Sequence, residues 1–423
     1  MDERRSSTAD PTEAIVITGI GMIASVGNDR ESVWRAVREG VSGVRRLTPA
    51  DRMPDCLTIA APIDIEPEQP GQLKVISLAL RAAAEALDDA GVYQSGIDFD
   101  RFGCAMSGHM GDISGALPSQ GAARSTDPQA VPWISQCLPN SGCSIVANRF
   151  GLYGPRLCHS AACASGMVDI LSAIRTIRDG QCEIALAGSS EGIHPLFAAG
   201  FSKMRVLADH EDPSQAARPF DRSRNGFVMG EGAAMFVLER LSHARRRGAS
   251  IYAEVVAGRM VADAYHVTGI DADSPSLTYL LKATLDQGGL APRDVGYINA
   301  HGTGTQANDV AETRGIRRAL GAAAESTLVS STKSMLGHLV NAAGSVELAV
   351  TTLALRDGFA PPTVNLTDPD PQCDLDCIPL VGRPVQAEHA VKVSIAFGGT
   401  MAAIALRRWP EAVSRLQPWR RAA

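Results

Sequence analysis

Three short stretches of this chain carry side chains able to do covalent or proton-transfer chemistry. The first is Ser160-Ala161-Ala162-Cys163-Ala164-Ser165-Gly166, a cysteine among small residues. Behind it Met167, Ile170, Leu171, Ile174 and Ile177 recur at spacings of three and four, which predicts a buried helix ended by Gly180. A thiol at a helix N-terminus meets unpaired N–H groups and the positive end of the macrodipole, so its pKa is expected to fall and Cys163 to act as a nucleophile. Taken alone, the segment fits a buried thiol capping a core helix equally well. The second stretch, His301-Gly302-Thr303-Gly304-Thr305, follows an apolar strand, at the kind of strand end where ligand sites of α/β folds gather. The third, Ser331-Thr332-Lys333-Ser334-Met335-Leu336-Gly337-His338, sets a lysine five residues before a second histidine, with Glu347 nine residues beyond it. A lone histidine is more often a satisfied core or surface group; two at glycine-punctuated turns, together with a helix-start cysteine, point to catalysis. No His-Glu-x-x-His pattern or carboxylate cluster accompanies them, so no metal is expected.

These groups need a frame, and strand and helix patterns alternate along the chain. Strands are predicted over residues 14–18, closed by Gly19 and Gly21 as turn formers, and over 101–107, 183–188, 233–239, 251–257, 295–300, 392–396 and 402–407. Helices are predicted over 78–90, 276–288 and 344–356, besides the one behind Cys163. Alternation in both halves, with no Pro- or Ser-rich linker, predicts two similar α/β layers packed into one body. They divide as residues 12–257, carrying the cysteine, and 258–410, carrying both histidines. No residue-level repeat proves a duplication.

The 423 residues are 45% hydrophobic and 20% charged, as in an ordinary globular protein. A net charge of -6 leaves no overall basic field, so neither nucleic acid nor an anionic membrane is expected as the main partner. Residues 1–11 are polar with no apolar run behind them, unlike a signal peptide or lipid anchor, and no stretch of about 18 apolar residues occurs. Nine cysteines without an export signal suit a reducing cytoplasm, and Cys373 and Cys377, with no second pair beside them, read as loop or core thiols.

Three motifs complete the picture: Asn299-Ala300-His301-Gly302-Thr303-Gly304-Thr305; Ser331-Thr332-Lys333-Ser334-Met335 with Gly337-His338; and Arg218-Pro219-Phe220-Asp221 with Gly226-Phe227-Val228-Met229-Gly230-Glu231-Gly232. With these, residues 14–407 resemble the β-ketoacyl-acyl carrier protein synthases of the elongating, synthase II kind, and the related type II polyketide ketosynthases. The resemblance implies an acyltransferase of thiolase-like fold, with two βαβαβαββ halves in a five-layered αβαβα body, normally a homodimer. It assigns Cys163 as nucleophile, His301 and His338 as the catalytic pair and Lys333 as the lysine beside them, paired with Glu347. Phe397, in Phe397-Gly398-Gly399-Thr400, corresponds to a gating aromatic whose N–H joins that of Cys163 in an oxyanion hole. Thr303 and Thr305 resemble residues that bind the phosphopantetheine arm of an acyl carrier protein, the expected partner; Arg205 and Lys203 align with positions that meet the carrier. No cofactor on the enzyme is implied.

The chain departs from that pattern near its end, where Ala396 stands for a glycine, Met401 for an asparagine and Val393 for a polar residue. The last puts any monovalent cation near Glu347 in doubt. His109 and Met110 are bulkier than the residues expected at the floor of the acyl pocket, which suggests a specialised lipid or polyketide substrate. A silent chain-length subunit is opposed by Cys163, and a degradative thiolase by the lack of a cysteine in the Phe397–Thr400 loop. A polyketide or polyene ketosynthase with a heterodimer partner stays open.

Overall fold

A computed structural model of the protein describes residues 12–51, 53–108, 131, 132, 135, 136 and 138–410. Ten strands form its main sheet: β1 Ile15–Ala24, β2 Phe102–Ser107, β3 Arg156–Leu157, β4 Ile184–Glu191 and β5 Gly232–Arg240, then β6 Ala253–Ala262, β7 Val295–Asn299, β8 Leu328–Ser330, β9 His389–Ile395 and β10 Thr400–Arg408. Their spatial order is β8-β7-β9-β10-β6-β1-β5-β4-β2-β3. Each half therefore runs third, second, fourth, fifth, first. The senses agree as well, with the first and fifth strands and the fifth and fourth antiparallel, and the fourth, second and third parallel. The duplication invisible in the residues is plain in the topology, and Ile15–Ile17 paired with Ala253–Val255 joins the halves. A boundary after residue 257 falls inside β6, so by strand order the second half begins with Ala253.

Three helices in each half complete the repeat, α1 Lys74–Asp89, α2 Ser141–Phe150 and α3 Ser165–Arg178 in the first and α5 Pro275–Gly288, α6 Gln306–Leu320 and α7 Ala343–Asp357 in the second, while α4 Pro195–Lys203 follows β4 without a counterpart among the described residues. Three apolar cores separate the layers. One lies between α1, α2 and the outer face of the first half-sheet, one between α5, α6 and the outer face of the second, and one around α3 and α7 in the middle. Helices flanked by sheet on both sides must be apolar nearly all round, and α7 is buried from Ala343 to Leu355. This is the five-layered α/β architecture expected of the resemblance.

One local expectation fails. Gly19 and Gly21 do not end the first strand, which continues buried to Ala24. A Cβ on Gly21 would lie 1.9 Å from the Ala82 carbonyl oxygen, and one on Gly19 2.3 Å from that of Ala86. These glycines let α1 press onto the strand rather than turn the chain.

Candidate active site

Cys163 sits in one turn of 3₁₀ helix, Ala162–Ala164, that runs straight into α3. Ala162 takes φ +46°, a left-handed conformation that residues with a Cβ adopt only at a cost of about 1–2 kcal/mol. Ser165 holds this elbow, its Oγ accepting from the Ala161 N–H at 2.9 Å and donating to the Ala162 carbonyl at 2.8 Å. The thiol is 7% exposed, and burial pushes it up to about 12, with the charge of Lys333 opposing. The lowered pKa expected of the helix start is thus not met: loss of water outweighs the dipole, and the resting group is the thiol.

His301 follows β7 after one residue, Ala300. The next residue, Gly302, has φ +39°, and a Cβ there would lie 2.5 Å from that of Ser331, so only glycine allows the turn. Glu312 of α6 clamps it, accepting the His301 N–H at 2.6 Å and the Gly302 N–H at 2.7 Å. His338 donates its N–H to the Val228 carbonyl at 2.6 Å, and Gly230 donates back to the His338 carbonyl at 3.0 Å. The segment 226–232 therefore works as a splint for the second histidine.

Hydrogen bonds set the tautomer of each ring. Lys333 Nζ stands 3.3 Å from His301 Nδ1, 2.5 Å from the His301 carbonyl and 2.6 Å from Glu347 Oε1, so Nδ1 accepts and Nε2 carries the proton. The Val340 N–H donates to His338 Nδ1 at 3.2 Å, which again leaves Nε2 as the N–H. His338 Nε2 is 3.1 Å from Cys163 Sγ, and the two rings lie 5.3 Å apart at 83°. Burial, then the charge of Lys333, hold both imidazoles well below their ordinary pKa, so both are neutral. Donor atoms of Cys163, His301 and His338 lie within 4.8 Å of one another, near enough to share a metal. The buried ammoniums of Lys333 and Lys392 behind the rings disfavour a divalent cation and favour an anion there.

A thiol and two neutral N–H donors converging on one point suit acyl transfer followed by stabilisation of an enolate. Residues 12–244 match the family described as Beta-ketoacyl synthase, N-terminal domain, and residues 252–367 match Beta-ketoacyl synthase, C-terminal domain. The chain belongs to the β-ketoacyl synthase family. It is 37% identical to the 3-oxoacyl-[acyl-carrier-protein] synthase 2 of Coxiella burnetii (strain RSA 493 / Nine Mile phase I), over 93% of this chain and 98% of that one. It is also 37% identical to the tetracenomycin polyketide synthase ketoacyl synthase alpha subunit of Streptomyces glaucescens, over 95% and 98%. Among solved structures, a type II polyketide synthase acyl-carrier protein in complex with its ketosynthase bound to the hexaketide aligns at TM-score 0.86 and 31% identity, covering 94% of this chain and 100% of that one.

In this β-ketoacyl synthase the reacting groups open into a cavity of about 180 Å³. Thr303 and Thr305 line it with their hydroxyls 2.9 Å apart. Phe397, half-buried at the β9–β10 turn, closes another side, its ring 6.4 Å from that of Phe201. Gly398 and Gly399, at φ +85° and +82°, make the turn; Gly398 donates to the Val267 carbonyl at 2.7 Å, and Gly399 accepts the Asp263 N–H at 3.0 Å. Lys203 ends α4 and Arg205 follows it, both exposed beside Val206 of the cavity wall and neither paired with a described acid. His109 and Met110 lie outside the described residues.

Sequence reasoning missed several groups that hold this synthase site. Asp309 accepts the N–H groups of Phe220 and Gly304 at 2.9 and 3.2 Å and faces the buried Arg224 at 3.4 Å, which explains the Arg218–Asp221 motif as scaffolding. Lys392 is wholly buried, its Nζ 2.8 Å from Glu347 Oε2, whereas the neighbouring Val393 packs into the outer core. The signal was a lysine inside a predicted buried strand, on the face shared by Ser394 rather than by Val393.

Proposed function

We propose that the protein is a 3-oxoacyl-[acyl-carrier-protein] synthase, condensing a Cys163-bound acyl group with malonyl carrier protein. The observation that carries this reading is the 3.1 Å approach of Cys163 Sγ to the Nε2–H of His338, with the neutral His301 ring at right angles beside it. Cys163 sulfur attacks the acyl thioester, its carbon–sulfur bond to phosphopantetheine breaks, and the thiol proton passes to the departing arm. Malonyl carrier protein follows. Its carboxylate leaves as carbon dioxide, the electron pair moves onto the thioester oxygen, and the Nε2–H groups of His301 and His338 hold that oxyanion. The enolate carbon attacks the acyl-enzyme carbonyl, whose oxygen is received by the amides of Cys163 and Phe397, and the cysteine departs as a thiolate that takes up a proton from water to return to the resting thiol. Thr303 and Thr305 steady the pantetheine arm. The sequence of steps asks for no cofactor on the enzyme. Intact mass after incubation with acyl carrier proteins tests the reading: an acyl adduct is expected, and none forming with any loaded carrier would overturn it.

Because both imidazoles are held well below their ordinary pKa, their neutral form persists as pH falls. Carbon dioxide release from malonyl carrier protein is accordingly expected to stay flat between about pH 6 and 7, below the range in which the buried Lys392, brought down to about 8 by desolvation, loses its charge. A decline centred near pH 6.5 would show instead that an imidazole of ordinary pKa is titrating.

The exposed Arg205 and Lys203 at the cavity's edge suit an acidic carrier. Arg205→Glu is expected to raise the KM for carrier-bound substrate about tenfold, chiefly at low salt, without changing turnover of a short pantetheine thioester. An equal loss on both substrates would move Arg205 out of docking. The proposed unit is a homodimer in the cytoplasm, in keeping with an edge strand, β3, paired on one side only among the described residues and with free thiols at the described cysteines. Identity to a polyketide synthase alpha subunit as high as to a 3-oxoacyl-[acyl-carrier-protein] synthase 2 supports a second reading, a polyketide ketosynthase with a partner chain; copurification of a second ketosynthase-like chain would establish it.

A further inference from the structure

Lys392 projects from the middle of β9 into the centre of the molecule and is 0% exposed. Around its ammonium stand the carbonyls of Ala300 at 3.3 Å and Asn299 at 3.4 Å, that of Val393 in contact, and Glu347 Oε2 at 2.8 Å. Three carbonyls and a carboxylate form the kind of oxygen set that hard cations occupy. Here the cation is covalently part of the chain.

Two routes lead from this ammonium to His301. One runs through side chains: Glu347 takes Lys392 on Oε2 and Lys333 on Oε1 at 2.6 Å, and Lys333 reaches His301 Nδ1 at 3.3 Å. The other runs through backbone, since Asn299 and Ala300 immediately precede His301. Glu347 Oε2 accepts no directed hydrogen bond, so the charge of Lys392 is what balances it. With both lysines charged, the trio carries one net positive charge behind the two imidazoles, and the charges of Lys333 and Lys392 both help to keep the rings neutral.

We propose that Lys392 is a positioning residue for the condensation, a tethered cation that fills the carbonyl cage beneath His301, shares Glu347 with Lys333 and so keeps His301 presenting Nε2–H to the enolate oxygen. It touches no substrate atom. The inference rests on the condensing activity proposed above, but it bears on the decarboxylation step and leaves acylation of Cys163 aside. Added potassium or sodium has no place left to fill.

The test compares steps and cations. Lys392→Met is expected to keep its acyl adduct by intact mass while carbon dioxide release from malonyl carrier protein falls about 10- to 100-fold. In Lys392→Ala, which vacates the cage, potassium or methylammonium is expected to restore most of that loss, a response that damage to packing would not give. Wild-type turnover is expected to be the same in potassium and tetramethylammonium buffers, and this arm stands even if neither variant folds. The proposal is overturned if Lys392→Met releases carbon dioxide at the wild-type rate, if no small cation restores a folded Lys392→Ala, or if the wild type needs potassium or sodium. Failure of the wild type itself to take an acyl group would count against the condensing activity rather than against Lys392.

Discussion

Replacing Cys163 with alanine is expected to abolish condensation, with a loss of about 10⁴-fold or more, and to remove the acyl adduct from the intact mass. The expectation is selective. Alanine leaves the elbow at Ala162 and the Ser165 hydrogen bonds in place, because those involve backbone and the Ser165 hydroxyl. It also leaves His301 and His338 with the partners that set their tautomers, Lys333 and the Val340 amide. Malonyl carrier protein should therefore still lose carbon dioxide, with the product ending as an acetyl thioester instead of a longer 3-oxoacyl chain. A folded Cys163→Ala protein that continued to take an acyl label would place the nucleophile elsewhere among the thiols. Those of Cys104, Cys143, Cys182, Cys373 and Cys377 are buried in apolar cores away from the cavity, which leaves the exposed Cys56 and the half-buried Cys158 as the described thiols such a label would point to.

What could be seen in the sequence was what short-range chemistry writes there. Cys163 stood ahead of an apolar helical pattern, and His301 and His338 each stood at a glycine turn; the fold brings all three into one cavity. Lys333 and Glu347, assigned by resemblance, meet at 2.6 Å. The missing pieces depended on elements far apart in the chain. Gly19 and Gly21 looked like turn formers because nothing local says that a helix more than sixty residues later will lie against them. The doubt about a monovalent cation near Glu347 was placed on Val393, one residue from the side chain that matters: in a strand, neighbours face opposite sides, so Val393 enters the outer core and Lys392 the site. The thiol's pKa was misjudged for a related reason. The helix start is a local feature, whereas the desolvation that outweighs it comes from residues of both halves closing over the sulfur.

Those same long-range arrangements govern the second large effect, removal of either histidine. His301→Ala or His338→Ala is expected to slow carbon dioxide release by about 10²- to 10³-fold, the usual consequence of deleting one donor to a developing oxyanion. The two rings do not contribute alike to the first half-reaction. Only His338 touches Cys163 Sγ, so His338→Ala should also slow acylation, whereas His301→Ala should leave the acyl adduct forming at nearly the wild-type rate. Asparagine at 301 could present an N–H but lacks the Nδ1 that receives Lys333, so it should recover only part of the loss. If both donors serve one oxygen, the double alanine variant should lose less than the product of the single losses, because a group left with one of two donors is already poorly held. Measured side by side, rapid-quench acylation and carbon dioxide release decide the matter: equal losses in both steps for His301→Ala would mean that this ring serves the nucleophile rather than the enolate, and the division of labour drawn from the 3.1 Å contact would fail.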